Sequence, residues 1–120
     1  MIERLSPRGA PAPKGPYSPM VKAGGFVFVA GQVPGKPGDV QDETRQILTN
    51  IKGMLENVRS SMADVVKVGV YLKDGGDFAK MNEVYAEFFG ENKPVRTTIV
   101  CQFIADIKVE IDCIAYSPLT

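Results

Sequence analysis

Apolar residues recur along this chain with helical spacing in two stretches. From Gln41 to Met62 they follow one another at intervals of three or four, so that they share one stripe of a helix: Ile47, Ile51, Met54, Leu55, Val58 and Met62. A second helix is predicted from Asp77, as its N-cap, to Phe89, with Gly90 as its C-cap. Its buried side is expected to carry the large apolar residues Phe78, Met81, Tyr85, Phe88 and Phe89.

Shorter segments rich in β-branched and aromatic residues predict five strands. Prolines and glycines between residues 7 and 16 predict an irregular loop or arm before the first strand. The strands are expected at residues 20–23, 26–30, 65–72, 96–104 and 109–116, the first two forming a hairpin through Gly24-Gly25. The order strand-strand-helix-strand-helix-strand-strand predicts an α+β domain with two helices on one face of a mixed sheet.

Several predicted strands are apolar on both of their faces. Phe26 and Phe28 alternate with Val27 and Val29, and residues 99–104 are apolar on both faces as well. A sheet with one face in water normally alternates apolar with polar residues, and a large exposed apolar patch is rare on a monomer. We therefore predict association through the helix-free face. The alternative is a closed, barrel-like monomer, or a third layer formed by the N-terminal arm.

The composition excludes several classes of function. With 120 residues the chain is expected to be a single domain spanning residues 1–120, and 14 basic residues balance 14 acidic ones. No Lys/Arg cluster suited to several phosphates occurs, which disfavours nucleic-acid and membrane-surface binding. The N-terminus lacks the apolar stretch of a secretory signal, and no apolar run is long enough to span a membrane, so the cytosol is the expected compartment.

The chain contains no histidine, which excludes Ser-His-Asp and Cys-His catalysis and removes the commonest metal ligand. Cys101 and Cys113 lack CxxC spacing and are expected to be small buried hydrophobes within strands. We expect neither a metal site nor a cofactor.

Two charged positions interrupt the last apolar segments. Arg96 begins the first of them, and Glu110 and Asp112 lie within the second. Charges are scarce inside strands because their desolvation is costly, and a guanidinium is well suited to grip a carboxylate. If residues 105–108 reverse the chain, Arg96 and Glu110 lie at opposite ends of the sheet, roughly 20 Å apart, and share a site only between chains. Alternatively, Arg96 sits at a solvated strand edge and Glu110 pairs with a surface lysine.

Seven short motifs occur in one order along almost the whole chain: Ala12-Pro13-Lys14-Gly15-Pro16-Tyr17-Ser18, Ala30-Gly31-Gln32-Val33-Pro34, Asn50-Ile51-Lys52, Val65-Val66-Lys67, Asn82-Glu83-Val84-Tyr85, Pro94-Val95-Arg96-Thr97-Thr98 and Val109-Glu110-Ile111-Asp112. Together they resemble the reactive intermediate deaminase (Rid, YjgF) family, and most closely its RidA-like branch. The resemblance implies a chorismate-mutase-like (ferredoxin-like) fold and a homotrimer with sheets facing inward and active sites between subunits.

The resemblance also implies hydrolysis of 2-imino acids to 2-keto acids and ammonia. Arg96 would hold the substrate carboxylate and Glu110 would activate water. The other matching positions are Tyr17 as a pocket wall, Gly31 and Thr98 with backbones that contact the ligand, and Asn82 as support. Asn82 could instead serve only to organise a helix or loop.

Several departures from the family pattern concern the rim of the pocket, so they affect substrate range more than reaction class: Pro19-Met20, Ala30, Thr98 and Phe103-Ile104-Ala105-Asp106. Two other functions stay open. One is a non-catalytic, carboxylate-binding regulatory trimer. The other is an endoribonuclease or translation inhibitor, as attributed to some relatives, although neutral charge and the lack of histidine count against it.

Overall fold

A six-stranded mixed sheet forms the frame of the protein. The computed structural model describes residues 1–7 and 12–118. Its strands are β1 (Glu3–Leu5), β2 (Met20–Ala23), β3 (Phe26–Gln32), β4 (Val65–Leu72), β5 (Val95–Val100) and β6 (Val109–Tyr116). Their spatial order is β1-β2-β3-β6-β4-β5, with β4 and β5 parallel and all other neighbours antiparallel.

Two helices, α1 (Val40–Asn57) and α2 (Phe78–Phe89), cover one face of this sheet. The core lies between the helices and the inward-facing residues of the strands. Its most deeply buried members include Val27, Ile47, Leu48, Leu55, Val68, Met81 and Ile111. Burying one such side chain stabilises the fold by about 1.5–3 kcal/mol, so the two apolar stripes hold both helices on the sheet. The predicted α+β architecture is confirmed.

The first helix ends earlier than its apolar stripe predicts. Hydrogen bonds from the Val58 and Ser60 N–H groups to the Leu55 carbonyl tighten its last turn, and Arg59 adopts a φ of 61°. This left-handed residue reverses the chain after Asn57. Met62 therefore reaches the core from a separate 3₁₀ turn, Met62–Asp64, and its assignment to the helix is wrong.

The start of α2 also differs from the prediction. Asp77 makes no side-chain cap; it belongs to a 3₁₀ turn, Gly75–Asp77, in which the Asp74 carboxylate accepts a hydrogen bond from the Gly76 N–H at 2.8 Å. Phe78 is 45% exposed because it begins the helix beside the edge strand β5, and Val84 is buried in its place. The C-cap is confirmed: Gly90 has a φ of 53°, which favours glycine.

Among the strands, β2, β4 and β6 have their predicted bounds, and β3 extends two residues further. The predicted strand at residues 96–104 ends at Val100, so Cys101 lies outside it. The short strand β1 was not predicted because its sequence, Glu-Arg-Leu, is too short and too charged to show an alternation. Of the predicted N-terminal arm, residues 8–11 lie outside the described residues.

The helix-free face of the sheet carries several aromatic and aliphatic side chains. Phe26 and Phe28 are 37% and 43% exposed, whereas Val27 and Val29 point into the core. The sheet is open, with β1 and β5 at its edges, so the closed barrel is not formed. Residues 12–17 are exposed, and the described part of the arm does not bury this face. Within the described residues, no helix is both long and apolar enough to cross a membrane.

Candidate functional site

Arg96 lies on the edge strand β5 and points to the helix side of the sheet, since it pairs with the core residue Val68. Its Nη1 donates a hydrogen bond to Asn82 Oδ1 at 2.8 Å. Its Cζ lies 4.7 Å from the ring centroid of Tyr85 and 5.6 Å from that of Phe78. These aromatic faces attract the cation, and α2 thereby orients the guanidinium. The hydrogen bond to Asn82 and the close approach to Tyr85 occupy a minority of the five N–H donors of Arg96, so most of them are available to a ligand.

A small cavity of about 310 Å³ opens beside Arg96, between the end of α2 and the start of β5. Its lining includes Asn82, Tyr85, Phe89, Lys93, Pro94 and Arg96. The volume lies near the lower limit for small-molecule sites. The cavity therefore suits a small anion, with Arg96 as its main cation and Lys93 at its side.

Two buried hydroxyl groups lie on the same side of the sheet without a partner among the described residues. They are Thr98 Oγ1, two residues beyond Arg96 on β5, and Tyr85 Oη. Burial raises the pKa of Tyr85 to about 12, although the nearby Arg96 opposes the shift, so the phenol is neutral at pH 7. A buried hydroxyl without a hydrogen bond costs roughly 1–3 kcal/mol. Together with Arg96 and Asn82, these hydroxyls form what we call the Arg96 group.

Glu110 lies on the other face of the sheet, on β6, opposite Tyr71 of β4. Its side chain lies over Gly31 of β3: a Cβ atom at Gly31 would come 3.0 Å from the Glu110 Cδ. Burial, and then the negative charge of Asp112, raises the pKa of the Glu110 carboxyl. A carboxylate with a raised pKa is a better general base near neutral pH.

A β-bulge places Gly31 beneath Glu110. The pairing of β3 with β6 shifts between Val29 and Gln32, so that Ala30 and Gly31 together face a single residue of β6. Gln32 stabilises the bulge, because its Nε2 donates to the Ala30 carbonyl at 2.9 Å and its Oε1 accepts from Asn50 Nδ2 at 2.9 Å. The amides of Gln32 and Asn50, on β3 and α1, thus support Gly31. We call Glu110 and Gly31 the Glu110 group.

The sheet separates Arg96 from Glu110 within one chain. Arg96 aligns with Cys113 across β4, and Glu110 aligns with Ile99. The two residues are offset by three positions, roughly 10 Å along the strands, and by two strand spacings, also roughly 10 Å. The predicted reversal of direction is present, because β5 and β6 run antiparallel on either side of β4, and Arg96 and Glu110 lie towards opposite ends of β5. The predicted separation of roughly 20 Å along the strands is too large, because β5 ends at Val100. They are apart because they point to opposite faces.

The alternative in which Arg96 sits at a solvated strand edge and Glu110 pairs with a surface lysine is wrong for both residues. Arg96 is half-buried against α2 and is not at a fully solvated edge. Glu110 forms no ion pair with a lysine within the described part of the chain. Asn82 accepts a hydrogen bond from Arg96, so its side chain helps to hold the guanidinium and does not serve only to organise the helix.

Tyr17 lies apart from both groups. It is 54% exposed in the segment that follows residue 11, and its backbone N–H donates to the Gly15 carbonyl at 2.9 Å. The structure thus brings together Arg96 and Asn82, and separately Glu110 and Gly31; Thr98 lies two residues from Arg96 on the same side of β5. Sequence reasoning assigned Tyr85 only to the core; its spacing of three from Asn82 on a helix was the signal that both face Arg96.

Neither cysteine contributes to these groups. Burial, with a smaller effect of Asp112, raises the pKa of the Cys113 thiol to about 12, so it stays protonated. Cys101 is half-buried directly after β5, and both thiols are free. Within the described residues, no three His, Cys, Asp or Glu side chains lie close enough together to hold a metal ion.

Comparisons with known proteins agree across sequence and structure. Residues 7–117 match the family model described as endoribonuclease L-PSP. A RutC family protein of Pyrococcus horikoshii is 52% identical over 97% of this chain and 98% of its own. The Escherichia coli protein named "Putative reactive intermediate deaminase TdcF" is 40% identical over 96% of this chain and 97% of its own.

The fold is likewise that of solved structures. The crystal structure of E. coli TdcF with bound serine superposes with a TM-score of 0.88, at 36% identity, over 95% of this chain and 98% of that one.

Proposed function

Since this chain belongs to the Rid/YjgF/RutC family, which the endoribonuclease L-PSP model describes, we propose that it hydrolyses 2-imino acids to 2-keto acids and ammonia. The observation that carries the proposal is the half-buried Arg96 guanidinium, which α2 holds beside a small cavity while most of its donors stay open. A planar guanidinium binds a carboxylate through two parallel hydrogen bonds. The serine bound to TdcF is a carboxylate of comparable size, which supports this class of ligand.

In the proposed reaction, Arg96 holds the carboxylate of a protonated 2-imino acid. The oxygen of a water molecule forms a bond to the imine carbon, the C=N π electrons move to nitrogen, and one water proton passes to the Glu110 carboxylate. Glu110 then returns this proton to the amine nitrogen. The C–N bond breaks with its electron pair on ammonia, and C=O forms as the hydroxyl proton is released and finally converts ammonia to ammonium. Positioning of water and substrate supplies much of the rate.

A complete site requires two chains. Arg96 and Glu110 point to opposite faces of one sheet, so the Arg96 group of one subunit must meet the Glu110 group of another. We propose a homotrimer in which the helix-free faces turn towards one another and the edge strand β5 of one subunit, which carries Arg96, lies against the helix-free face of the next. This packing also covers Phe26 and Phe28. Gly31, Thr98 and Tyr17 would line the cleft between subunits, and no cofactor takes part.

The reaction is tested with 2-iminopropanoate and 2-iminobutanoate generated in situ. We expect Arg96→Ala and Glu110→Ala to lower the accelerated release of keto acid by at least about hundredfold. Arg45→Ala is the matched control, because Arg45 forms an exposed ion pair with Glu87 at 2.9 Å on the outer helix surface. Equal release by wild type and Arg96→Ala, with folding intact, would refute the assignment.

Mixing the two inactive variants tests whether the site spans two chains. When Arg96→Ala and Glu110→Ala chains are unfolded and refolded together, about a quarter of the sites combine an intact Arg96 with an intact Glu110. About a quarter of wild-type turnover should therefore return, whereas each variant refolded alone stays inactive. No recovery in mixed oligomers would place both residues in a site within one chain.

Two alternatives are separated by the same variants. A non-catalytic carboxylate-binding trimer would bind a keto acid through Arg96 but show no turnover that depends on Glu110. An endoribonuclease would show RNA cleavage that survives rigorous purification and falls in Arg96→Ala; the balanced charge of the chain does not favour it. A cytoplasmic location stays a prediction.

A further inference from the structure

A second carboxylate on β6 is held firmly beside Glu110. Asp112 lies two residues further along the strand and on the same face of the sheet. Its Oδ2 accepts a hydrogen bond from Tyr71 Oη at 2.8 Å, and its Oδ1 accepts one from the Gly69 N–H at 3.1 Å. Both donors belong to β4. The Asp112 carboxylate is therefore fixed on the β4 side of its own strand.

A glycine makes this arrangement possible. A Cβ atom at Gly69 would come 2.5 Å from Asp112 Oδ1 and 2.9 Å from Tyr71 Oη, so any other residue would displace both groups. Gly31 leaves room for Glu110 in the same way on β3. The two carboxylates of β6 thus lean to opposite sides, Glu110 over β3 and Asp112 over β4.

The hydrogen bonds are distributed unequally between these two carboxylates. Asp112 accepts two, whereas no donor to Glu110 occurs among residues 1–7 and 12–118. Side chains two positions apart on one strand face start roughly 7 Å from each other, close enough for like charges to repel when both are partly buried. The anchored group stays in place, so the unanchored group responds to the repulsion.

We propose that Asp112 is a positioning residue for Glu110: anchored by Tyr71 and Gly69, its negative charge keeps the Glu110 carboxylate over Gly31 and makes that carboxylate the acceptor of the water proton. The role rests on the proposed imine hydrolysis. In that reaction, the proton released when the water oxygen bonds to the imine carbon goes to Glu110, and Asp112 neither gains nor loses a proton.

Several groups surround Glu110 on this face of the sheet. Lys67 of β4 is the cation that lines one hollow with Gly31, Tyr71 and Asp112. On β3 Glu110 faces Gly31, which carries no charge, and on β4 it faces Tyr71, whose pKa is raised first by its hydrogen bond to Asp112 and then by burial. Lys73, just beyond β4, pairs with Asp106 at 3.4 Å. Burial is the larger cause of the raised pKa of Glu110, and Asp112 is the second. Removal of the Asp112 charge should therefore lower the pKa of Glu110 without abolishing the effect of burial.

The test compares Asp112→Asn with wild type. An asparagine can accept from the Gly69 N–H and donate to Tyr71 Oη, so it preserves both contacts and removes only the charge. We expect the Glu110 carboxyl, assigned in carbon-13 NMR by its loss in Glu110→Gln, to titrate at lower pH. The acid limb of kcat/KM for 2-iminopropanoate should move to lower pH as well. A weaker base should lower kcat about tenfold while KM changes less than about twofold.

Three further variants complete the test. Asp112→Glu keeps the charge and should restore the NMR midpoint towards wild type. Asp64→Asn removes a carboxylate near the start of β4 and should change neither quantity. If Asp112→Asn fails to fold, Asp112→Ser serves the same comparison. An unchanged Glu110 midpoint in the folded neutral variant would overturn the proposal. Since the NMR measurement needs no turnover, failure of the deaminase assignment would appear separately, as a wild type that does not accelerate imine hydrolysis.

Discussion

At the scale of single residues, two glycines determine where the carboxylates of β6 lie. Neither Gly31 nor Gly69 has a positive φ, so the backbone at both positions would accept other residues. What excludes a larger side chain is the nearby carboxylate, that of Glu110 at Gly31 and that of Asp112 at Gly69. The requirement for glycine is therefore one of space, and it can be tested without disturbing the fold.

Gly31→Ala should displace the Glu110 carboxylate and lower kcat by about hundredfold, because a shift of roughly 1 Å at a reacting group has this effect. Steady-state turnover of 2-iminopropanoate checks the loss, and circular dichroism checks the fold. Gly53→Ala is the control, since a Cβ at this helical position meets nothing within 4 Å. Full activity in Gly31→Ala would show that the position of Glu110 over β3 is not needed.

At the scale of secondary-structure elements, one buried carboxylate joins α1 to the two segments that flank the Glu110 group. Glu43 is 1% exposed and accepts hydrogen bonds from the N–H groups of Lys108 at 2.8 Å and Gly38 at 3.3 Å. The Lys108 ammonium lies 3.5 Å from the same carboxylate and donates to the Gly38 carbonyl at 2.7 Å. Glu43 therefore connects the loop after β3 with the residue that precedes β6.

Glu43→Ala should lower the free energy of unfolding by about 2 kcal/mol, because it leaves two partly buried N–H groups without an acceptor and a half-exposed lysine without its counter-charge. Urea denaturation measures the change. Glu56→Ala, at an exposed position of the same helix, should change the stability by less than about 0.5 kcal/mol. Equal stability of the two variants would mean that water satisfies the groups that Glu43 now binds.

At the scale of the whole molecule, the helix-free face combines an exposed apolar surface with half of the proposed site. The rings of Phe26 and Tyr116 contact each other at a tilt of 59° with their centroids 5.7 Å apart. Both residues are partly exposed, as are Phe28 and Ile99. The Glu110 group lies on this same face. Packing of copies through this face would bury the apolar surface and enclose Glu110 at once.

Phe28→Glu should convert the proposed trimer to monomers and abolish turnover, because a carboxylate cannot be buried in an apolar interface without a counter-charge. Analytical ultracentrifugation at micromolar concentration measures the first effect and the imine assay the second. Thr49→Glu places the same charge on the exposed side of α1 and should leave both unchanged. A stable wild-type monomer would contradict the assembly.

Much of the fold could be predicted because periodicity is a local property. The stripe from Ile47 to Leu55 has to lie on one side of a helix, and the alternation of Val27 and Val29 with Phe26 and Phe28 has to place them on opposite faces of a strand. The ends of helices and strands depart from the prediction where local backbone geometry competes with the apolar pattern. The left-handed Arg59 ends α1 although Met62 continues its apolar stripe.

The sequence by itself therefore determined the two helices, all strands but β1, and a family pattern that singled out Arg96 and Glu110. Only the tertiary structure decided that β4 separates their strands, that they point to opposite faces, and that Gly31 and Gly69 make room for two carboxylates. The physical reason is that a helix or strand is set by contacts between near neighbours in the chain. The order of strands, and the side chains that meet across them, depend on pairing between residues such as Gly69 and Asp112, which are 43 positions apart.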